Sequence, residues 1–269
     1  MRQLSRRLLP FALRVELVRL RGAPARWLEA SVLQRDRVAP DDLAGHGFVL
    51  AERSSPLRRE PVSDERLQRG KERNVTLAAG RLDRVLLPPG GLCSYHHQVG
   101  RPSRLRGFVP GLELHGEKPS AGIGGGCCQV SNLLYLLCLQ GGLRVVERHR
   151  HGLDLFPDSA RTVPFGCGAT VFFGTADLRF DNPLDQPVVL RMLVEQGRLV
   201  GRLHCAEDPG FRVELVERDH RFFREDGHRM RENHILRRIL EPGGALILEQ
   251  HVAHNRARVC YEPEGGELC

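Results

Sequence analysis

A cysteine pair follows three consecutive glycines in AGIGGGCCQVSNLLYLLCLQGG, residues 121–142, and this stretch is the one best suited to covalent chemistry. A thiol attacks as its thiolate, and a thiolate is favoured where orphan backbone N–H groups and the positive end of a helix dipole gather. Gly124, Gly125 and Gly126 read as a tight turn that lets backbone approach backbone or ligand closely. Val130, Leu133, Leu134, Leu136, Leu137 and Leu139 then form an apolar run too continuous for a one-sided surface helix, and Gly141-Gly142 supplies a stop. The pattern predicts a short buried helix with Cys127 and Cys128 at its N-terminus. Cysteine is also a common core residue, and Cys138, deep in the run, reads as core. On this stretch alone Cys128 has both readings open.

A partner for the thiolate comes next, in LRVVERHRHG, residues 143–152. A helix from Cys128 to Gln140 rises about 18 Å, at about 1.5 Å per residue, and a returning strand recovers that in about five or six residues. The chain is then level with the cysteine near His149. On a strand Glu147, His149 and His151 leave the same face, so an imidazole base with a carboxylate behind it meets the thiolate by spacing alone. Two other readings of these residues stand beside it. One is a solvated charged patch; the other is a zinc site from Cys128, His149 and His151, which no second closely spaced Cys/His pair completes. His96 and His97 are adjacent in LCSYHHQVG and would point opposite ways on a strand, so surface placement is their default.

The elements that must position these groups follow from length and patterning. The chain has 269 residues, 41% hydrophobic and 27% charged, which fits one large globular domain or two small ones and excludes a disordered chain. Net charge is +7, and Lys71 and Lys118 are the only lysines. Anionic partners are compatible with that charge. An aromatic fraction of 6% and the lack of a basic motif interleaved with aromatics argue against nucleic acid. The eight cysteines show no paired spacing, which favours a reduced compartment. Near the start, Arg14 and Glu16 break the apolar run before it reaches a signal-peptide core or a membrane span, and no later run reaches the about 18 apolar residues a span needs. The expectation is a cytoplasmic chain without a transmembrane segment, with peripheral membrane contact and an envelope role left open.

Residues 1–70 are arginine-rich, with amphipathic helical stretches around Phe11 to Leu20 and Ala25 to Leu33 and a Pro- and Arg-rich passage from Ser54 to Arg69. A helix is expected over Val75 to Leu87, ended by Pro88-Pro89-Gly90-Gly91, and a short strand or loop over LCSYHHQVG. Beyond His151 the pattern turns to strands. Two are expected around Gly174 in ATVFFGTADLRFDN, a hairpin turns at Gln196-Gly197, and further strands flank Pro242-Gly243-Gly244. This predicts an α+β fold, in which a buried Cys-bearing helix packs on a mainly antiparallel sheet behind a helical N-terminal region. A nucleophile helix followed by histidine-bearing strands is the order found in papain- and NlpC-like hydrolases, an analogy of fold only.

GIGGGCCQVSNLLYLL, VVERHRHG, LFPD, GATVFF and ADLRFDN, in this order and preceded by LAAGRLDRVLLPPGGLCSYHHQVG, resemble the VanW family over about Asn74 to Arg191. The resemblance implies a VanW-like domain over 71–269, with its core at 74–191 and a β-rich part at 192–269. It also implies a cysteine-dependent peptidoglycan transpeptidase of L,D type, linked to glycopeptide resistance, that acts on peptidoglycan precursors or stem peptides and needs no cofactor and no metal. Cys128 matches the catalytic cysteine; Cys127 stands where the family has an aliphatic residue. His151 matches the base better than His149, and Asp177 in ADLRFDN matches the family's Leu-Asp element, with Glu147 as the other candidate to orient the imidazole. Gly124, Gly125, Gly126, Gln129, Ser131 and Ser94 are the expected substrate-binding positions. Many members have Asp where this chain has Gly168. The alternative function is a non-catalytic accessory or peptide-binding protein of a resistance system.

Overall fold

A computed structural model of the protein describes residues 33–58, 64–115, 118–150, 152–154 and 163–261. His151 and the helices expected around Phe11 and Ala25 lie outside these residues. The helix expected from Val75 starts earlier, at Glu65: α1 spans Glu65–Leu82, because the Asp64 carboxylate accepts from the N–H groups of Arg66 and Leu67 and so caps it. Its apolar face buries Val75, Ala78, Ala79 and Leu82. Asp83 turns extended and Arg84 takes φ 64°, so Val85–Leu87, expected as the helix end, is instead a strand, β2. LCSYHHQVG holds both a strand, β3 (Leu92–Ser94), and a one-turn helix, α2 (Tyr95–Val99). Ser94 caps that turn by accepting from His97 N–H.

The hairpin at Gln196-Gly197 forms as the sequence leads one to expect. Both turn residues have positive φ, 48° and 71°, the conformation a two-residue turn demands between twisted strands. It joins β9 (Val188–Glu195) to β10 (Arg198–Cys205). With β1 (Phe48–Pro56) these form a sheet in the order β1-β10-β9-β2, antiparallel throughout. Against β1 and β10 lies α3 (Cys127–Gln140), with Val130, Leu133, Leu134, Leu137 and Leu139 buried. A Cβ at Gly201 of β10 would lie 2.5 Å from the Leu137 side chain, so glycine there seats the helix. Each such buried side chain contributes about 1.5–3 kcal/mol, which makes α3 a product of packing more than of helix propensity.

Among the described residues three further assemblies stand around this core. β4 (Pro110–His115) and β5 (Lys118–Ile123) form a two-stranded ribbon that runs directly into the glycine turn before α3. β6 (Arg144–Glu147) and β8 (Arg179–Asp181) sandwich with β3 in the order β3-β8-β6. Of the two strands expected around Gly174, only β8 is regular; the first half makes isolated bridges, His149 to Thr170 and Phe172 to Ala176. Finally β11 (Arg212–Glu225), β12 (His228–Leu240) and β13 (Leu246–Val259) form a long antiparallel sheet, which the short β7 (Leu153–Asp154) joins in parallel. Leu136 of α3 packs with Ile235, Ala253 and Cys167 in a second apolar cluster that ties this sheet to the helix. The fold is α+β with mostly antiparallel pairing, and among the described residues no helix is long and apolar enough to cross a membrane.

The glycine turn is held by Asn74 of α1, which is fully buried. Its amide donates to Val109 O at 2.9 Å and to Gly125 O at 3.0 Å, and its oxygen accepts from Val109 N–H at 3.0 Å. One side chain thus fixes helix, ribbon and turn together. Asn74→Ala leaves Val109 N–H and Gly125 O without a partner among the described residues, while Val109 O keeps Gly124 N–H at 3.2 Å, and should cost about 2–4 kcal/mol. A urea unfolding curve would show it as a lower midpoint at unchanged slope; a midpoint equal to that of the parent would refute the clamp.

Candidate functional site

Cys128 stands at the first turn of α3 and is half-buried, while Cys127 is 7% exposed and Cys138 fully buried. Local chain geometry puts it there. Gly126 caps the helix at φ 101° and Gly124 sits at φ 89°, backbone regions that favour glycine. A Cβ on Gly125 would lie 2.3 Å from Gly111 O, and one on Gly126 would lie 2.6 Å from the Lys71 side chain. All three turn glycines are therefore needed for close packing as much as for any ligand.

Two of the first N–H groups of the segment are bonded, Cys127 to Gly124 O at 3.1 Å and Gln129 to Gly126 O at 2.9 Å. The N–H of Cys128 itself has no acceptor among the described residues. A nucleophile and an unused donor on the same residue can serve a carbonyl, one attacking its carbon and the other holding its oxygen.

The sulfur, however, is not a thiolate in wait. Cys128 Sγ lies 3.7 Å from Val171 O, a long contact that fixes where the sulfur points. Burial raises the Cys128 pKa above the ordinary cysteine value; the main-chain hydrogen bond at Val171 opposes that rise and the Glu113 charge adds a smaller one. This corrects the expectation from the helix terminus, and magnitudes give the reason. A helix dipole contributes about 0.3–1 kcal/mol at an exposed end and up to about 2 kcal/mol when partly buried. Burial moves the pKa of a group by up to about 3–5, at about 1.4 kcal/mol for each whole number, so burial wins. The same cause pushes Cys127 and Cys93 to about 12.

The other expected residues among those described form a network of their own. His149 Nε2 meets Glu147 Oε1 at 2.8 Å, and the same oxygen accepts from Asp177 N–H at 3.2 Å. Asp177 in turn accepts from Ser94 Oγ at 2.5 Å, His96 N–H at 3.0 Å and Leu178 N–H at 2.8 Å. Ser94 and Asp177 thus fasten the start of α2. Thr170 N–H donates to His149 O at 2.9 Å, while the next residue, Val171, turns its carbonyl to Cys128. Successive residues of an extended chain present their main-chain groups to opposite edges. His149 and Cys128 therefore flank the Thr170–Val171 segment, and among the described residues no histidine bonds the thiol.

Gln129 and Ser131 point into the frame. The Gln129 amide donates to Ser55 Oγ at 2.9 Å and Pro56 O at 2.8 Å, anchoring α3 to β1. Ser131 is buried, and its hydroxyl donates to Ala169 O at 2.6 Å. Beside it Asn132 Oδ1 accepts from Ala169 N–H at 2.8 Å, and a Cβ at Gly168 would lie 2.7 Å from that oxygen. The Gly168 departure thus fits a chain in which Asn132 fills the space. Arg148 donates to the carbonyls of Gly168 (2.8 Å) and Gly166, and to Asn255 Oδ1 at 3.2 Å, so the segment leading to Val171 is fixed from α3, β6 and β13. Among the described residues no group of histidine, cysteine and carboxylate has metal-binding geometry. Sequence reasoning missed Asn74, Glu113 and Val171, which act at the site from distant elements. Neither a cleft of about 460 Å³ lined by Leu139, Arg144 and Arg237 nor one of about 560 Å³ lined by Leu57, Arg58 and Glu72 includes Cys128.

Comparison with known proteins identifies the family. A model of the family described as VanW like protein matches residues 70–204, half of the chain. The chain belongs to the VanW family. It is 25% identical over 203 residues to the vancomycin B-type resistance protein VanW of Enterococcus faecalis (strain ATCC 700802 / V583), covering 75% of this chain and 74% of that one. It is 30% identical over 139 residues to the uncharacterized protein YoaR of Bacillus subtilis (strain 168), covering 52% of this chain but only 44% of that protein. No solved structure matches.

Iodoacetamide should alkylate Cys128 faster than Cys127 or Cys138, yet more slowly than free cysteine at pH 7. Because the pKa is raised, the rate should keep climbing as pH passes the ordinary cysteine value. Peptide mapping of the alkylated folded protein gives each rate. Equal rates at Cys128 and Cys138 would remove Cys128 as a nucleophile.

Proposed function

We propose that this chain is a cysteine acyltransferase of L,D-transpeptidase type that acts on peptidoglycan stem peptides. The observation that carries the reading is the pairing on one half-buried residue, Cys128, of a thiol and an N–H with no acceptor among the described residues. The Cys128 thiolate attacks a peptide carbonyl, the oxyanion rests on the Cys128 N–H, and the tetrahedral species expels the donor's amine to leave a thioester. An acceptor amine then attacks the thioester and the thiolate leaves. His151, which lies outside the described residues, is the base the family resemblance favours, with His149 and Glu147 as the pair on the described side. The succession of cysteine helix and histidine strand supports this by analogy with papain- and NlpC-like hydrolases. The relative named for vancomycin resistance links the chain to that context, in which a transpeptidase or its accessory would handle wall peptides.

The second reading, a non-catalytic accessory protein that binds wall peptides, is favoured by the raised Cys128 pKa and by the Thr170–Val171 segment, whose main chain bonds His149 on one residue and Cys128 on the next. Trapping separates the two. Offered a stem-peptide donor without an amine acceptor, the enzyme should gain the acyl mass at Cys128, seen by intact-protein mass spectrometry, and Cys128→Ala should not. Stem-peptide binding with equal affinity in Cys128→Ala, and no adduct in the parent with several donors over many hours, would leave the accessory reading.

A further inference from the structure

We propose that the cleft at the C-terminal end of α3 binds a carboxylate carried on an aliphatic body, and that Arg237 holds the carboxylate. The site is separate from Cys128 and does not depend on acyl transfer.

Arg237 of β12 is only 6% exposed, yet among the described residues its guanidinium meets neutral acceptors alone. Leu143 O, just past the end of α3, accepts from Nη1 at 2.6 Å. Gln250 stands directly opposite on β13, and its Oε1 accepts from Nε at 3.1 Å and from Nη2 at 2.6 Å. A guanidinium has five N–H donors, so Nη1 and Nη2 each keep one without an acceptor among the described residues. Burial lowers the Arg237 pKa, and the groups that oppose this shift are Cys138 and Tyr135, a thiol and a phenol rather than carboxylates. A buried charge without a counter-charge is costly.

The Arg237 side chain lines the cleft of about 460 Å³ together with Arg144 of β6 and Gln250 and His251 of β13. Leu139, Val145 and Val252 make the rest of its wall apolar. Three consecutive residues of β13 share the cleft because the strand bulges there: Leu236 pairs with His251 and Ile235 with Ala253, which leaves Val252 over. A bulge re-aims side chains that strict alternation would send to opposite faces. Gln250 uses its oxygen on Arg237, and its amide nitrogen has no acceptor among the described residues.

The surrounding charges decide which anion fits. Arg144 is bound through Nε and Nη2 to Asp181, so that pair adds almost no net charge. His251 Nε2 is engaged by His234 Nδ1 at 2.9 Å. The carbonyl end of α3 carries about half a negative elementary charge, which offsets part of Arg237 and cannot cancel it. What remains matches the single charge of a carboxylate better than a phosphate monoester, at about −1.5 to −2. Donors on two nitrogens of one plane also suit the two oxygens of a carboxylate. The apolar wall then favours an aliphatic body over a bare anion.

Saturation-transfer NMR titration of the full chain with sodium hexanoate tests this, with 1-hexanol as neutral control, acetate as bare anion and hexyl phosphate as the more highly charged one. Hexanoate should bind at least about tenfold more tightly than 1-hexanol or acetate, and hexyl phosphate no more tightly than hexanoate. Gln250→Glu should keep the contact with Arg237 and supply the counter-charge from within. Its melting temperature should therefore rise while hexanoate binding is lost. Arg237→Gln should also lose binding; should that variant fold poorly, Gln250→Glu still decides. Parent-like hexanoate affinity or a lowered melting temperature in Gln250→Glu would overturn the proposal, as would 1-hexanol or acetate binding as well as hexanoate. Tighter binding of hexyl phosphate would overturn the assignment to a carboxylate.

Discussion

The approach of two backbones at Gly111 and Gly125 is the constraint on which the rest depends. Neither position has room for a side chain: a Cβ on Gly111 would lie 2.7 Å from Gly125 O, and the reverse contact would be 2.3 Å. This contact seats the ribbon on the turn, and Asn74 locks both to α1. The direction in which α3 leaves the turn, and hence the sheet it covers and the side on which Cys128 emerges, follows from it. Glycine lowers the stability of regular elements by about 0.5–1 kcal/mol per residue, a cost offset here by the packing the bare backbone permits.

Burial then sets the chemistry of the thiol. The apolar run that makes α3 a core helix also surrounds its first turn, so the interactions that position Cys128 also hold it protonated. Positioning and activation are separate tasks in this fold. Ser131, Asn132 and Arg148 fix the segment that bears Val171, and they do so through main-chain atoms, which makes the placement tolerant of side-chain change along that segment.

Local patterns are legible in the sequence where local physics decides them. The Gln196-Gly197 hairpin needs two residues with positive φ, and the glycine turn before an apolar run marks the start of α3. His96 and His97 read as strand or loop residues in the sequence, yet the Ser94 hydroxyl caps a helical turn there, aided by Asp177 from 81 positions away. Helix-to-strand spacing brings His149 near the level of Cys128. It cannot show that Thr170 and Val171 lie between them, since that pairing comes from a later part of the chain. Asn74 and Glu113 are illegible for the same reason: one polar residue on a helix and one on a ribbon have no periodic signature, and both act only after long-range folding.

The cluster of Leu136, Cys167, Ile235 and Ala253 gives the family match an unexpected boundary. The matched region ends at residue 204, but Leu136 on its central helix is covered by β12 and β13, and Arg148 reaches Asn255 for one of its bonds. At the other end, β1 completes the sheet from residues before the match. A segment cut at 70 and 204 would expose an apolar flank of α3 and an open strand edge, both prone to self-association. The matched segment is thus an organ rather than a graft: in this chain it holds its shape inside a larger body, packed by strands that lie on both sides of the match.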